Sequence, residues 1–191
     1  MKNLYPKQAR YSCSLSIVKM PCILRYFTLF TIILVFSFAK LNAQSIGDYR
    51  SNATNMNWST AASWQKFDGT SWIASADYPG QNSCSSCTVN IKNGNTVTLN
   101  VSPANSIGNL IIGGGTNGTL TLGTFTLTVS GNLTVNPGAV FNLSTGTFTV
   151  NGTTIISGTV SDASNTGISK FTGLVTKNGG PMKPARPSRL G

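Results

Sequence analysis

Beyond Cys87, apolar and polar residues alternate almost one for one. The pattern is clearest from Phe125 to Val135: Phe125, Leu127, Val129, Leu133 and Val135 share one parity with Gly131, while Thr126, Thr128, Ser130, Asn132 and Thr134 take the other. Successive side chains of a strand point to opposite faces, so a period of two predicts half-buried β-strand. The parity shifts where turns are expected. Leu120 and Leu122 are even and Phe125 onward odd, with Gly123-Thr124 between; Phe141 and Leu143 are odd and Phe148 and Val150 even, with Ser144-Thr145-Gly146 between. Asn93-Gly94, Gly113-Gly114-Gly115, Asn117-Gly118, Asn136-Pro137-Gly138 and Asn151-Gly152 mark further breaks. Glycine and asparagine tolerate the positive φ of sharp corners, so these breaks predict coil corners. No stretch after residue 43 carries a helical period.

The strand pattern also repeats. GNLII at Gly108–Ile112 returns as GNLTV at Gly131–Val135 and as GTTII at Gly152–Ile156, at offsets of 23 and 21 residues. Leu99, Leu122 and Leu143 recur at the same two intervals. Self-similarity at such a period marks a solenoid, in which no single coil can bury its apolar face alone. An antiparallel β-sandwich also suits short strands joined by Asn-Gly turns, but it does not require each strand to resemble its predecessor. The expected fold is therefore all-β, a short right-handed parallel β-helix of about four coils over residues 88–177, with the sandwich as the alternative.

Residues 44–87 read differently, as an aromatic-rich cap. Tyr49, Trp58, Trp64, Phe67, Trp72 and Tyr78 all fall there, and Phe67-Asp68-Gly69-Thr70-Ser71-Trp72 sets Asp-Gly between two aromatics, a hairpin signal. Tyr78-Pro79-Gly80 breaks the chain before Cys84-Ser85-Ser86-Cys87. A solenoid end needs a cover, which the aromatics can supply as buried area. Trp58, Trp64, Trp72 and Tyr78 are also the candidate ligand-binding residues, because flat rings suit sugar faces. The Thr/Asn/Ser outer face of the coils is a second candidate surface, for polysaccharide or ice-like contact.

The two ends of the chain are expected to lie outside the domain. Tyr26–Ala39 is an uncharged apolar run of 14 residues, preceded by Lys19 and Arg25 and followed by Leu41-Asn42-Ala43. Basic, apolar and cleavable segments in that order predict a signal peptide over residues 1–43, with Met20 an alternative start. The run is short for a membrane span, which needs about 20 residues, so no stable span is expected after cleavage. Residues 178–191, with three prolines and no strand pattern, predict a disordered basic tail or the end of a fragment of a larger protein.

Charge and composition narrow the chemistry. The chain of 191 residues carries a formal +10. Nine of its cations lie in the leader or tail, leaving Arg50, Lys66, Lys92, Lys170 and Lys177 against Asp48, Asp68, Asp77 and Asp162. A nucleic-acid reader needs a clustered basic face, so no nucleic-acid partner is expected. With no histidine there is no histidine-based triad, and four aspartates without glutamate provide little for paired-carboxylate hydrolysis. The coils hold Asp162 as their only acid, which counts against a calcium-dependent lyase and against aspartate-rich calcium repeats. No catalytic residue, metal site or cofactor is assigned. Cys84 and Cys87 lack the further ligands that zinc requires, and an exported chain favours a local disulfide worth about 2 kcal/mol.

Asn57-Trp58-Ser59, Ser63-Trp64, Trp72, Tyr78-Pro79-Gly80, the cysteine pair and the run Val89-Asn90-Ile91-Lys92-Asn93-Gly94-Asn95-Thr96-Val97-Thr98-Leu99 stand in a recognisable order. With the GNL repeats they resemble the N-terminal region of large secreted β-helix proteins of Bacteroidetes, and the passage up to Leu99 resembles the eight-glycine extracellular domain. The resemblance covers about Ser45 to Lys177. It implies secretion to the exterior or the cell surface and an adhesin-like or carbohydrate-associated role, with polysaccharide or a host or cell surface as partner. The expected function is a non-enzymatic exported β-helix module for surface adhesion or extracellular scaffolding. The alternative is a carbohydrate-binding module, acting through the head aromatics, that served a polysaccharide-degrading enzyme.

Overall fold

The computed structural model describes residues 44–114, 117–162 and 166–179. The expected signal peptide, the start at Met20 and residues 180–191 of the expected tail lie outside them. The described chain is a β-solenoid of about four turns.

In chain order the strands are β1 (Tyr49–Ser51), β2 (Asn55–Asn57), β3 (Trp64–Phe67), β4 (Trp72–Ala74), β5 (Cys84–Ile91), β6 (Thr96–Thr98), β7 (Ile107–Ile112) and β8 (Gly118–Thr121). They continue as β9 (Thr126–Val129), β10 (Leu133–Val135), β11 (Ala139–Asn142), β12 (Thr147–Val150), β13 (Thr154–Ile156), β14 (Thr159–Ser161), β15 (Ile168–Phe171) and β16 (Val175–Lys177). One sheet runs β14-β11-β8-β6-β2, every pairing parallel. In the other sheet β1, β5 and β7 stack in parallel, and β7 then pairs with both β9 and β10, which lead to separate parallel columns. Among the described strands, only β1–β3 and β3–β4 are antiparallel. The sandwich alternative is thus replaced by parallel stacking, in which each coil repeats the register of the last.

The alternation places one parity inside. Val89, Leu110 and Leu133 form one buried column, Ile91, Ile112, Val135 and Ile156 a second, and Val97, Leu120 and Phe141 a third. Phe148 is fully buried, edge-to-face on Phe141 at 4.7 Å and near Phe171 at 6.2 Å. Stacking like on like buries apolar area without a shape mismatch between coils.

Asparagines tie the coils together along the axis. Asn132 N–H donates to Asn109 Oδ1 at 2.9 Å, and one coil later Thr153 N–H donates to Asn132 Oδ1 at 2.8 Å. Each amide oxygen therefore satisfies a backbone donor that the corner would leave unpaired. The last coil is the least covered, with Ile168 and Leu174 largely exposed.

Stacking begins earlier than residue 88. β1 and β2 lie inside the aromatic-rich segment, yet β1 is parallel to β5 and β2 to β6. The head therefore contributes a first rung of its own. The β3–β4 hairpin then extends that rung sideways, closed by the Phe67–Trp72 pair and by Gly69 at φ 107°.

Candidate functional site

The four aromatics singled out in the sequence separate into two groups. Trp58 and Trp64 are fully buried and pack edge-to-face with ring centroids 5.0 Å apart. Trp58 Nε1 donates to Pro79 O at 2.9 Å and Trp64 Nε1 to Trp58 O at 2.8 Å, so both indoles are satisfied internally. Neither offers a ring face to a ligand, and the expectation that they stack on sugar is corrected: they are the cap. The sequence shows two large aromatics on a short segment, but not which parity turns inward.

Trp72 and Tyr78 are half-buried. The guanidinium of Arg50 lies 4.4 Å from the centre of the Trp72 ring, and Arg50 Nε donates to Gln65 Oε1 at 2.8 Å. Phe67 leans on the same indole at 5.3 Å. Arg50, Gln65 and Phe67 share this outer face because β1 and β3 set Arg50 opposite Gln65 and β3 and β4 set Phe67 opposite Trp72. A cation seated on one ring face takes the position that a sugar would use.

On the other face of β3, Asp77 is the hub of a buried polar network. Tyr49 Oη donates to Asp77 Oδ1 at 2.6 Å, Ser75 Oγ lies 3.0 Å from the same oxygen, and Asn82 Nδ2 donates to Oδ2 at 2.9 Å. Lys66 Nζ approaches both oxygens at 3.4 Å. Burial pushes the Asp77 carboxyl up, but the hydrogen bonds from Tyr49, Asn82 and Ser75 and the charge of Lys66 outweigh it and hold the pKa at about 2. Burial, then the hydrogen bond to Asp77 and its charge, raise the Tyr49 phenol far above its ordinary value. This geometry fixes both groups in single protonation states across neutral pH.

The other head aspartates are similarly engaged. Asp48 accepts from the backbone N–H of Ser45 and of Thr88, each at 2.7 Å. Asp68 accepts from Thr70 and Ser71 N–H in the hairpin turn, at 2.8 and 2.7 Å, which lowers its pKa to about 2.

Cys84 and Cys87 form a disulfide, with Cα atoms 5.1 Å apart. It closes a bulge. Cys84 is level with Ile107 and Thr88 with Asn109, so Ser85, Ser86 and Cys87 all face the single residue Gly108. Ser130 Oγ donates to the Ser85 and Ile107 carbonyls, each at 2.9 Å, and pins the bulge from the next coil.

The remaining surface feature is the outer face of the coils, which the sequence marks only by its Thr, Asn and Ser content. The parallel register of β2, β6, β8, β11 and β14 aligns two outward columns: Asn55, Thr96, Thr119, Val140 and Thr159, and beside them Asn57, Thr98, Thr121, Asn142 and Ser161. No charged residue stands in either column. At the β2 end the surface dips into an open depression lined by Asn55, Met56, Asn57, Thr96 and Thr98. The N-M-N and T-V-T triplets carried this signal, but no period linked them.

Among the described residues, no group of His, Cys, Asp or Glu is placed to hold a metal ion, and no helix is long and apolar enough to cross a membrane. Comparison with family models, with curated proteins and with solved structures finds no match.

Proposed function

We propose that this chain is an exported, non-enzymatic β-solenoid module for surface adhesion or extracellular scaffolding. One observation carries the reading: the uncharged double column of Asn, Thr and Ser side chains, interrupted by Val140, held in register across β2, β6, β8, β11 and β14. A rigid sheet presents such groups without an ordering cost at the moment of contact, which favours binding to extended surfaces. The aspartates Asp48, Asp68 and Asp77 serve turns and packing, which fits a module that binds and does not transform. The leader pattern supports export.

The carbohydrate-module reading through head aromatics narrows to Trp72 and Tyr78, the two that keep some exposure. Beads coated with the purified protein test the main reading against bacterial and host cell surfaces and isolated cell-wall polysaccharide. Retention above that of protein-free beads on at least one surface is expected. No retention on any of them overturns the reading.

A further inference from the structure

The depression at the β2 end differs from the rest of the polar surface in how its side chains are engaged. Many amides elsewhere are occupied: Asn109 and Asn132 accept from the next coil, Asn142 donates to Thr121 Oγ1 at 3.3 Å, Asn95 donates to Ser51, and Asn100 to Ser59. Asn55, Asn57, Thr96, Thr98 and Thr119 make no side-chain hydrogen bond among the described residues. They stand together, because Asn55 is level with Thr96 and then Thr119, and Asn57 with Thr98.

We propose that this depression and the two columns leading from it bind a neutral, extended polysaccharide chain lying along the solenoid axis. This rests on the adhesion reading and specifies its ligand class. Neutrality of the ligand follows from the face, which offers no charge to pair with a uronate or sulfate. Extension follows from the strands, whose spacing of about 4.8 Å repeats a pair of outward side chains, each with at least one polar member, on every coil, an interval close to that between sugars in a straight β-linked chain. Amides and hydroxyls each both donate and accept, matching the hydroxyl pairs of a pyranose. Val140, half-exposed in mid-column, adds apolar contact for the sugar ring faces. Ice is the competing regular surface, but Asn at the β2 end, Val140 in mid-column and the dip between them break the flat hydroxyl lattice that ice would require.

The test measures binding of the purified protein to cellohexaose and chitohexaose, with polygalacturonate as the charged comparison. At least one neutral oligosaccharide should bind, with little dependence on salt. T98V and N57A should each weaken it by about tenfold, while W72A leaves it unchanged. Loss with W72A but not with N57A or T98V overturns the proposal in favour of the head aromatics. Tighter binding to polygalacturonate, failure of both neutral probes at millimolar concentration, or T98V-sensitive adsorption to ice in place of sugar binding also overturns it. Coated beads that still adhere when T98V and N57A are combined would overturn this site and leave the adhesion reading standing. Circular dichroism of each variant shows that the coils remain folded.

Discussion

Gly108 lies directly against the carbonyl of Cys87: a Cβ on Gly108 would sit 2.3 Å from that oxygen and 2.8 Å from the Ser86 carbonyl carbon. The same contact recurs down the column. A Cβ on Gly152 would meet Gly131 O at 2.5 Å, and one on Gly173 would meet Gly152 O at 2.3 Å. Backbone bonds from Gly131 N to Gly108 O and from Gly152 N to Gly131 O, at 2.8 and 2.9 Å, hold the coils at this separation.

Asn132 Oδ1, 2.4 Å from a Cβ on Gly152, could swing aside, but the backbone carbonyls cannot. G108A and G152A should each cost about 2–3 kcal/mol, the upper part of the usual range for overpacking. Gly94 has a φ of 73° and nothing within 4 Å, so G94A meets only left-handed strain, about 1 kcal/mol. Urea unfolding of the three variants should rank them in that order. Equal losses would mean that close approach is not what the repeat glycine provides.

That glycine shows where the sequence was legible and where it was not. Its spacing correctly announced stacked coils, because every rung must present the same residue at the same place. Of the corners expected from the sequence, Asn151-Gly152 contains a repeat glycine, and there the expectation fails. Gly108, Gly131 and Gly152 do not have positive φ, whereas Gly94, Gly113, Gly118, Gly123 and Gly138 do. The repeat glycines are sites of close backbone approach, and the corners lie elsewhere. A fourth member, Gly173, is masked in the sequence because Lys177 stands where the other copies end in Ile or Val. The first rung was hidden for another reason: Tyr49 and Val89 are paired neighbours, but the hairpin and the Cys84–Cys87 bulge separate them by far more than one coil period. The inward parity of Trp58 and Trp64 depends on that pairing, so a local reading could not distinguish them from Trp72.

Stability should fall in acid through Asp77. Its carboxyl has a pKa of about 2 in the folded chain, below that of an unfolded aspartate. The stabilisation is therefore complete above about pH 4 and is lost as the pH drops towards 2. Its size is about 2 kcal/mol. Y49F removes one donor, raises the Asp77 pKa and should move the acid-unfolding midpoint to higher pH. D77N should flatten the pH dependence between pH 4 and 2. An unchanged slope in D77N would assign the acid response to other groups.

Tryptophan fluorescence distinguishes the cap from the surface. Trp58 and Trp64 are 0% exposed, while Trp72 is only half-buried. Iodide should quench one fraction of the emission and leave a large residue untouched. W72F should abolish the quenchable fraction, and W64F should leave it in place. Quenching that persists in W72F would mean that the cap opens, and with it the argument against sugar stacking on Trp58 and Trp64.

Thr154 occupies an interior position that its column, after Tyr49, gives to the aliphatic side chains Val89, Leu110 and Leu133. It stacks between Leu133 and Val175, is 1% exposed, and its Oγ1 has no hydrogen-bond partner. A buried hydroxyl left unpaired costs about 1–3 kcal/mol. Valine has nearly the same shape and no such group, so T154V should raise stability by about 1 kcal/mol. T154A should lower it, because it removes the methyl along with the hydroxyl and leaves a cavity between the coils. The pair of variants separates polarity from volume. Greater stability in T154V with less in T154A is the expected result in a thermal or urea melt. A less stable T154V would show that the hydroxyl has a partner after all.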